Sequence, residues 1–280
     1  MNSEPAFEPG SEPTPGPGPD DAGEPFASRH HADRPVRAGI PDHGRVPRYY
    51  TVKVQLFDLL TELGEGTMLP SERDLAERFG VSRLTIRQAV GELVLEGLLV
   101  RRQGSGTFVS PPKFVQSLAL VSYTESLRDQ GAQPGRSAIS VEHVLADEQL
   151  AAELAVAPGA LVIHLERVLT ADGERVGLES TYLSHDRFPD LLGNFDATAS
   201  LYAYLGERLG VVLTRATERW ETVLATPREA LLIGTSPALP MLLLHRVSYD
   251  QDDRPIERVR ALYRGDRFSF VTTLYADQGR

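Results

Sequence analysis

The chain has no cysteine, which excludes a disulfide framework and any thiolate-based metal site. Lysine is nearly missing as well: of 29 basic residues only Lys53 and Lys113 are lysines, a bias of GC-rich coding that says nothing of mechanism. No apolar run reaches the length of a membrane span, and the N-terminus lacks the basic-then-apolar order of a secretory signal. A cytoplasmic protein without membrane contact is expected. No nucleophile–base pair and no metal-ligating cluster can be picked out, and the adjacent His30 and His31 stand in a polar tail without further ligands. Catalytic residues, metal ions and cofactors are therefore not expected.

Positive charge is scarce overall, with a formal net charge of −10, but its distribution is uneven. Residues 1–47 hold four Arg against eight Asp or Glu, while residues 48–110 balance eight basic against eight acidic side chains. Any binding to nucleic acid must then rest on a local basic face, which favours specific over indiscriminate association. Residues 1–46 are dominated by Pro, Gly, Glu and Asp, with few large apolar residues, Phe7, Phe26, Val36 and Ile40 among them, and read as a disordered acidic tail.

What is present begins at residue 47. In the stretch LPSERDLAERFGVSRLTIRQAVGELVLEGLLVRRQGSGTFV, Ser71 is placed to cap a helix, with Asp74 three residues on completing a capping-box-like pattern. Leu75, Ala76 and Phe79 then share one face, and Gly80 ends the helix. Ser82 can cap a second helix with a buried stripe of Ile86, Ala89, Val90, Leu93 and Val94. Two short helices around a Gly-containing turn make a helix-turn-helix, and Ser82, Arg83, Thr85 and Arg87 project from the N-terminal turns of its second helix, where base edges are met. Beyond Gly97, residues 98–100 and 107–109 read as strands around a Gly-flanked tip, a wing whose Arg101 and Arg102 can touch phosphate.

This order of helix, turn, helix and wing over residues 47–110 resembles the DNA-binding domain of GntR-type bacterial transcription regulators. The resemblance implies double-stranded DNA as partner, bound as a palindromic operator by a homodimer. It carries the DNA contacts onto Arg73, Ser82, Arg83, Thr85, Arg87, Gln103 and Gly104, with Arg73 on phosphate and Arg83 and Arg87 nearest the bases. Leu84 and Ser105 depart from the usual pattern, the latter where many relatives carry a wing-tip Arg.

Residues 111–117, PPKFVQS, read as a linker, and residues 118–275 as a second domain, with 276–280 as a short C-terminal tail. Residues 138–145, 162–169, 175–183, 215–225, 241–249 and 256–263 read as strands; residues 123–130, 149–154, 201–209 and 227–232 read as helices. Polar turns such as the one in LTADGERVG imply antiparallel hairpins. The fold class is α+β: an N-terminal winged helix-turn-helix and a C-terminal antiparallel-sheet domain. The phrases SYTESLRDQGAQPG, VIHLERVLTADGERVGLESTYL and PMLLLHRVSYDQDDRPIERVRALYRGDRFSF make this half resemble the UTRA effector domain of the HutC subgroup, whose fold is similar to chorismate lyase.

A small anionic metabolite needs donors converging from several elements. Ser122, Tyr123 and Thr124 lie at a helix start, Arg167 interrupts an apolar strand, and Ser200 and Tyr202 open another helix. Glu257, Arg260 and Tyr263 are read as sharing one face of the last long strand, and Arg167 as a charge that requires an external anion. Resemblance to sugar-phosphate-responsive members of the subgroup implies that Ser122, Thr124, Arg167, Ser200 and Tyr202 hold a phosphate. It gives the sugar hydroxyls or an acetamido group to Glu179, Glu257 and Tyr263, and Tyr123 is counted among the effector-binding residues from its place at the helix start. Leu169 departs from that pattern, because relatives responding to amino-sugar phosphates can carry a second Arg there.

The expected function is thus a ligand-responsive, sequence-specific regulator, a repressor of sugar or amino-sugar uptake or catabolism whose effector is a phosphorylated sugar such as a glucosamine or N-acetylglucosamine phosphate. Three alternatives stand beside it: a regulator of a different metabolite, a chorismate-lyase-like enzyme fused to a DNA-binding domain, and an architectural DNA binder without effector. The enzyme reading lacks a nucleophile and base. The architectural one leaves the polar residues of the second domain without a role.

Overall fold

The computed structural model describes residues 47–102, 104–118 and 120–274. The readings of residues 1–46, of Gln103 and of the C-terminal tail lie outside these. The first domain packs α1 (Arg48–Leu63), α2 (Glu72–Phe79) and α3 (Arg83–Leu95) against a hairpin of β1 (Leu99–Arg102) and β2 (Gly106–Val109). Leu56, Leu75, Ile86, Ala89, Val90, Leu93 and Leu99 from four of these elements make one closed apolar cluster. The caps act as the sequence requires at their first step. Ser71 Oγ accepts the Asp74 N–H at 3.2 Å, and Ser82 Oγ accepts the Thr85 N–H at 3.1 Å. Asp74, however, takes the Ser71 hydroxyl at 2.7 Å. Gly80 ends α2 in the left-handed region at φ 63°.

The stretch read as a linker is partly a strand. β3 (Phe114–Ser117) pairs in parallel with β10 (Phe268–Val271), so the exit from the wing is tied to the far end of the chain. No local signal marks this, because the partner strands lie some 150 residues apart and pairing is settled by tertiary contact.

Between them run α4 (Tyr123–Arg128), β4 (Pro134–Leu145), α5 (Glu148–Leu154), β5 (Leu161–Ala171), β6 (Glu174–Ser184), α6 (Leu191–Asn194), α7 (Leu201–Leu209), β7 (Leu213–Leu224), α8 (Pro227–Ile233), β8 (Pro240–Asp250) and β9 (Pro255–Arg264). Six strands form one antiparallel sheet in the order β4-β5-β6-β9-β8-β7. The β5–β6 hairpin turns on Asp172 and Gly173, both at positive φ (50° and 79°), the signature of a two-residue type I′ turn that matches strand twist. Both central faces are covered. Val168, Leu178 and Leu262 pack under α8, whereas Leu169, Val176, Ala261 and Tyr263 face α4 and β10. This two-sided burial explains why β5 reads as a nearly continuous apolar run, and why the one arginine in it stands out.

The two domains meet at Gly97, which ends the turn after α3 at φ 75°; a Cβ there would lie 2.2 Å from the backbone oxygen of Asp266, in the turn between β9 and β10. Glycine lets the base of the wing and that turn touch backbone to backbone.

Candidate functional site

On the first domain, Arg73, Ser82, Arg83, Arg87 and Gly104 are exposed and Thr85 is half-buried. Arg87 is not free: its Nε and Nη2 reach the Glu72 carboxylate at 3.1 and 2.9 Å, a bridge from α3 back to the start of α2. The acidic partner raises the affinity of the guanidinium for its proton, and a base must compete with it for the fork. Arg102 lies over the Phe108 ring at 4.7 Å, which holds one wing arginine along the hairpin.

The second domain holds a small, partly open cavity with about 40 Å³ of free interior space. One face of the sheet forms its floor: Arg136 from β4, Arg167 from β5, Glu179 and Thr181 from β6, Glu257, Val259 and Tyr263 from β9, and Leu244 and Arg246 from β8. The roof is Gln116 of β3, Val121, Ser122 and Tyr123 at the start of α4, and Ser200, Leu201 and Tyr202 at the start of α7. Eight of the nine residues expected from the sequence to hold an effector line this one cavity, and the ninth, Thr124, adjoins it through a 2.7 Å hydrogen bond from Arg136 Nη1. They converge because alternate residues of adjacent strands share a face, so registers such as Arg167 opposite Glu179 and Thr181 opposite Val259 stack them in rows.

Three expectations change. Arg167 is 2% exposed, but its Nη2 is paired with the Glu179 carboxylate directly across the strand, and its Nη1 donates to the Ala199 carbonyl at 3.3 Å. Its counter-charge is internal. Arg260 does not share a face with Glu257 and Tyr263: an interval of three residues flips a strand side chain to the other face, where Arg260 bridges Glu229 of α8 at 2.8 Å. Ser122 and Ser200 spend an oxygen lone pair on capping, from Glu125 N–H at 3.1 Å and Ala203 N–H at 3.4 Å, which leaves each hydroxyl hydrogen to donate. With only six residues, α4 has little dipole to add.

The electrostatics follow from the pairing. Burial opposes ionisation of Glu179, but Arg167 and Arg136 outweigh it and hold the carboxyl below the usual range. At Glu257 burial wins over the hydrogen bond from Tyr202 Oη, and its affinity for a proton is pushed up. Burial likewise pushes up the hydroxyls of Tyr123, Tyr202 and Tyr263, which stay protonated donors. Arg246 is paired with Glu218 and touches Tyr202 Oη at 3.3 Å. Among the described residues, seven buried side-chain polar atoms lack a hydrogen-bond partner, and five belong to this cavity: Gln116 Oε1, Thr181 Oγ1 and the Nε atoms of Arg136, Arg167 and Arg246. Buried polar atoms of this kind are normally matched by protein groups, ordered water or a ligand.

Family profiles match both halves: that of bacterial regulatory proteins of the gntR family over residues 53–109, and that of the UTRA domain over residues 129–269. The chain belongs to the gntR family. It is 46% identical to the HTH-type transcriptional repressor PhnF of Mycolicibacterium smegmatis over 232 residues, covering 83% of this chain and 94% of the relative. The crystal structure of PhnF superposes with a TM-score of 0.60, covering 81% of this chain and all of that one. The HTH-type transcriptional repressor NagR of Bacillus subtilis is 36% identical over 81% of this chain and 94% of its own length. A probable fructoselysine utilization operon transcriptional repressor of Escherichia coli is 28% identical over 80% and 93%. These relatives are regulators of transcription, and this gntR-family chain is a regulator and not an enzyme.

The sequence reading missed Gln116, Arg136, Thr181 and Arg246. Gln116 sits on the strand taken for a linker, and Arg136 precedes the residues read as the first strand of the sheet. Arg246 had a signal comparable to that of Arg167: it is a lone arginine in the run PMLLLHRVSYD, on the face of β8 that pairs with Glu218.

Proposed function

We propose that this gntR-family regulator is a cytoplasmic repressor that binds a palindromic operator as a homodimer and responds to a small phosphorylated sugar held in the UTRA cavity. The observation that carries this reading is the clustering of five unmatched buried polar atoms, three of them on arginines, around one cavity. Three guanidinium groups set against the two paired carboxylates of Glu179 and Glu218 leave an excess of positive charge that suits an anion, while Glu257, Tyr202 and Thr181 offer the mixed donors and acceptors that sugar hydroxyls need. The name of the fructoselysine relative belongs to sugar-derivative metabolism, consistent with this class. On the first domain, Arg83 and Arg87 are assigned to bases, and Arg73, Ser82, Thr85, Gln103 and Gly104 to positioning on the backbone.

The effector acts by binding one arrangement of the dimer more tightly than the one that spans both half-sites; coupling of about 1–3 kcal/mol is enough for regulation. Gel-shift titration of an operator fragment with glucosamine 6-phosphate and with free glucosamine tests it. The phosphorylated compound alters operator binding at concentrations where the free sugar does nothing. Equal potency of the two, or no response to either across phosphorylated sugars, overturns the sugar-phosphate reading.

A further inference from the structure

Three arginines reach the cavity, and they are not equivalent. Arg167 is paired with Glu179 and Arg246 with Glu218, each within one row of the sheet. Arg136 has no carboxylate within ion-pair distance among the described residues; it holds only the Thr124 hydroxyl at 2.7 Å and lies over the Tyr123 ring at 5.1 Å, with its Nε unmatched. Its register partner on β5 is Leu169, fully buried and apolar, so no second cation comes from that position. Around Arg136 stand Tyr123 from α4, Arg167 from β5, Glu179 from β6 and Tyr263 from β9. A guanidinium in that setting is costly until an anion arrives, whereas one already in an ion pair gains less from a second.

We infer that Arg136, on the edge strand of the sheet, is the anion anchor of the cavity and selects ligands bearing a phosphoryl group, with Thr124 orienting its guanidinium. Arg167, by contrast, serves to position Glu179. This rests on the reading of the cavity as the effector site. It locates the charged end of the ligand on the β4 and α4 side, so that its polar body extends toward Glu257 and Tyr202 on β9 and α7.

Calorimetric titration of the full chain with glucosamine 6-phosphate, with inorganic phosphate as competitor, tests the assignment. Arg136→Gln should raise Kd for glucosamine 6-phosphate by on the order of 10- to 100-fold, as expected for a lost charged hydrogen bond, and abolish competition by phosphate. Arg136→Lys keeps the charge without the fork and should weaken binding by a smaller factor, about 3- to 10-fold. Operator affinity of both unliganded variants should equal that of the wild type. A Kd unchanged in Arg136→Gln, while Glu257→Gln weakens binding, leaves the effector site in place and overturns Arg136 as its anchor. Should Arg136→Gln fold poorly, Arg136→Lys decides: unchanged Kd and unchanged phosphate competition overturn the inference. If the wild type binds neither glucosamine 6-phosphate nor phosphate, the effector reading fails and the anchor falls with it.

Discussion

The recognition face and the cavity are built on opposite plans. The first draws its polar side chains from one stretch of some 30 residues, leaves most of them exposed, and holds them on helices that local caps and an apolar stripe define. The second draws its side chains from eight elements between Gln116 and Tyr263, buries most of them, and neutralises several against one another before any ligand arrives. The difference follows from what each must meet. A duplex offers a large, regular, charged surface, so an exposed face suffices. A small metabolite has little surface, so its site must enclose it and bring groups of matched polarity close in a low dielectric.

The sharpest way to break this comparison is to unbalance the cavity. Glu179→Ala leaves Arg167 buried without its counter-charge and should cost about 3–5 kcal/mol in urea unfolding, far more than any single change on the recognition face. A loss under about 1 kcal/mol would mean the pair is not needed for the fold. The two buried carboxylates should also respond to pH in opposite directions. Glu179 is held below its unfolded value near about 4.3, so its contribution is present above that pH and lost as pH falls through the lower folded value. Glu257 is raised, so the folded state keeps a proton that the unfolded chain has released, and stability falls as pH rises above about 4.3. Urea midpoints from pH 4 to 8, taken as about the usable range, should therefore be flatter in Glu257→Gln than in the wild type.

A smaller effect tests whether the two regions are joined. Gly97→Ala places a methyl group on the Asp266 backbone at a left-handed φ and should lower stability by about 1–3 kcal/mol in thermal denaturation. A wild-type melting curve in that variant would show that the contact yields at no cost.

On the recognition face, Arg87→Ala should weaken binding to the cognate operator roughly tenfold to a hundredfold and leave random DNA almost unaffected. Arg73→Ala should weaken both alike. Equal losses for Arg87→Ala on the two sequences in gel-shift titration would move it from bases to backbone. The smallest effect is expected from deleting residues 1–46, an acidic, Pro-rich segment whose net negative charge does not favour contact with phosphate: operator affinity and melting point should be nearly those of the full chain.

Much of the fold can be read directly from residues. The caps Ser71 and Ser82, the stripe Ile86–Ala89–Val90–Leu93 and the six long strands of the sheet all obey rules that operate over one or two turns or a few alternating positions. Two of the departures mark where such rules stop, and one is a slip against them. Gln116 was assigned to a linker because a four-residue parallel strand has no signal of its own until β10 lies beside it. Arg260 was assigned to the wrong face, although the strand period alone separates it from Glu257 and Tyr263. Arg136 was passed over because nothing near it in sequence distinguishes it from a surface arginine.

By itself, then, the sequence determined that the chain carries a winged helix-turn-helix with arginines on its second helix, followed by an α+β domain rich in hairpins, because capping, amphipathic spacing and turn chemistry are local and act on neighbours in the chain. Which charges are spoken for was decided only by the tertiary structure. Strand order and register set Arg167 opposite Glu179 and Arg246 beside Glu218, but set Arg136 opposite a leucine, and pairing in a low dielectric depends on distances of a few ångströms that no interval along the chain encodes.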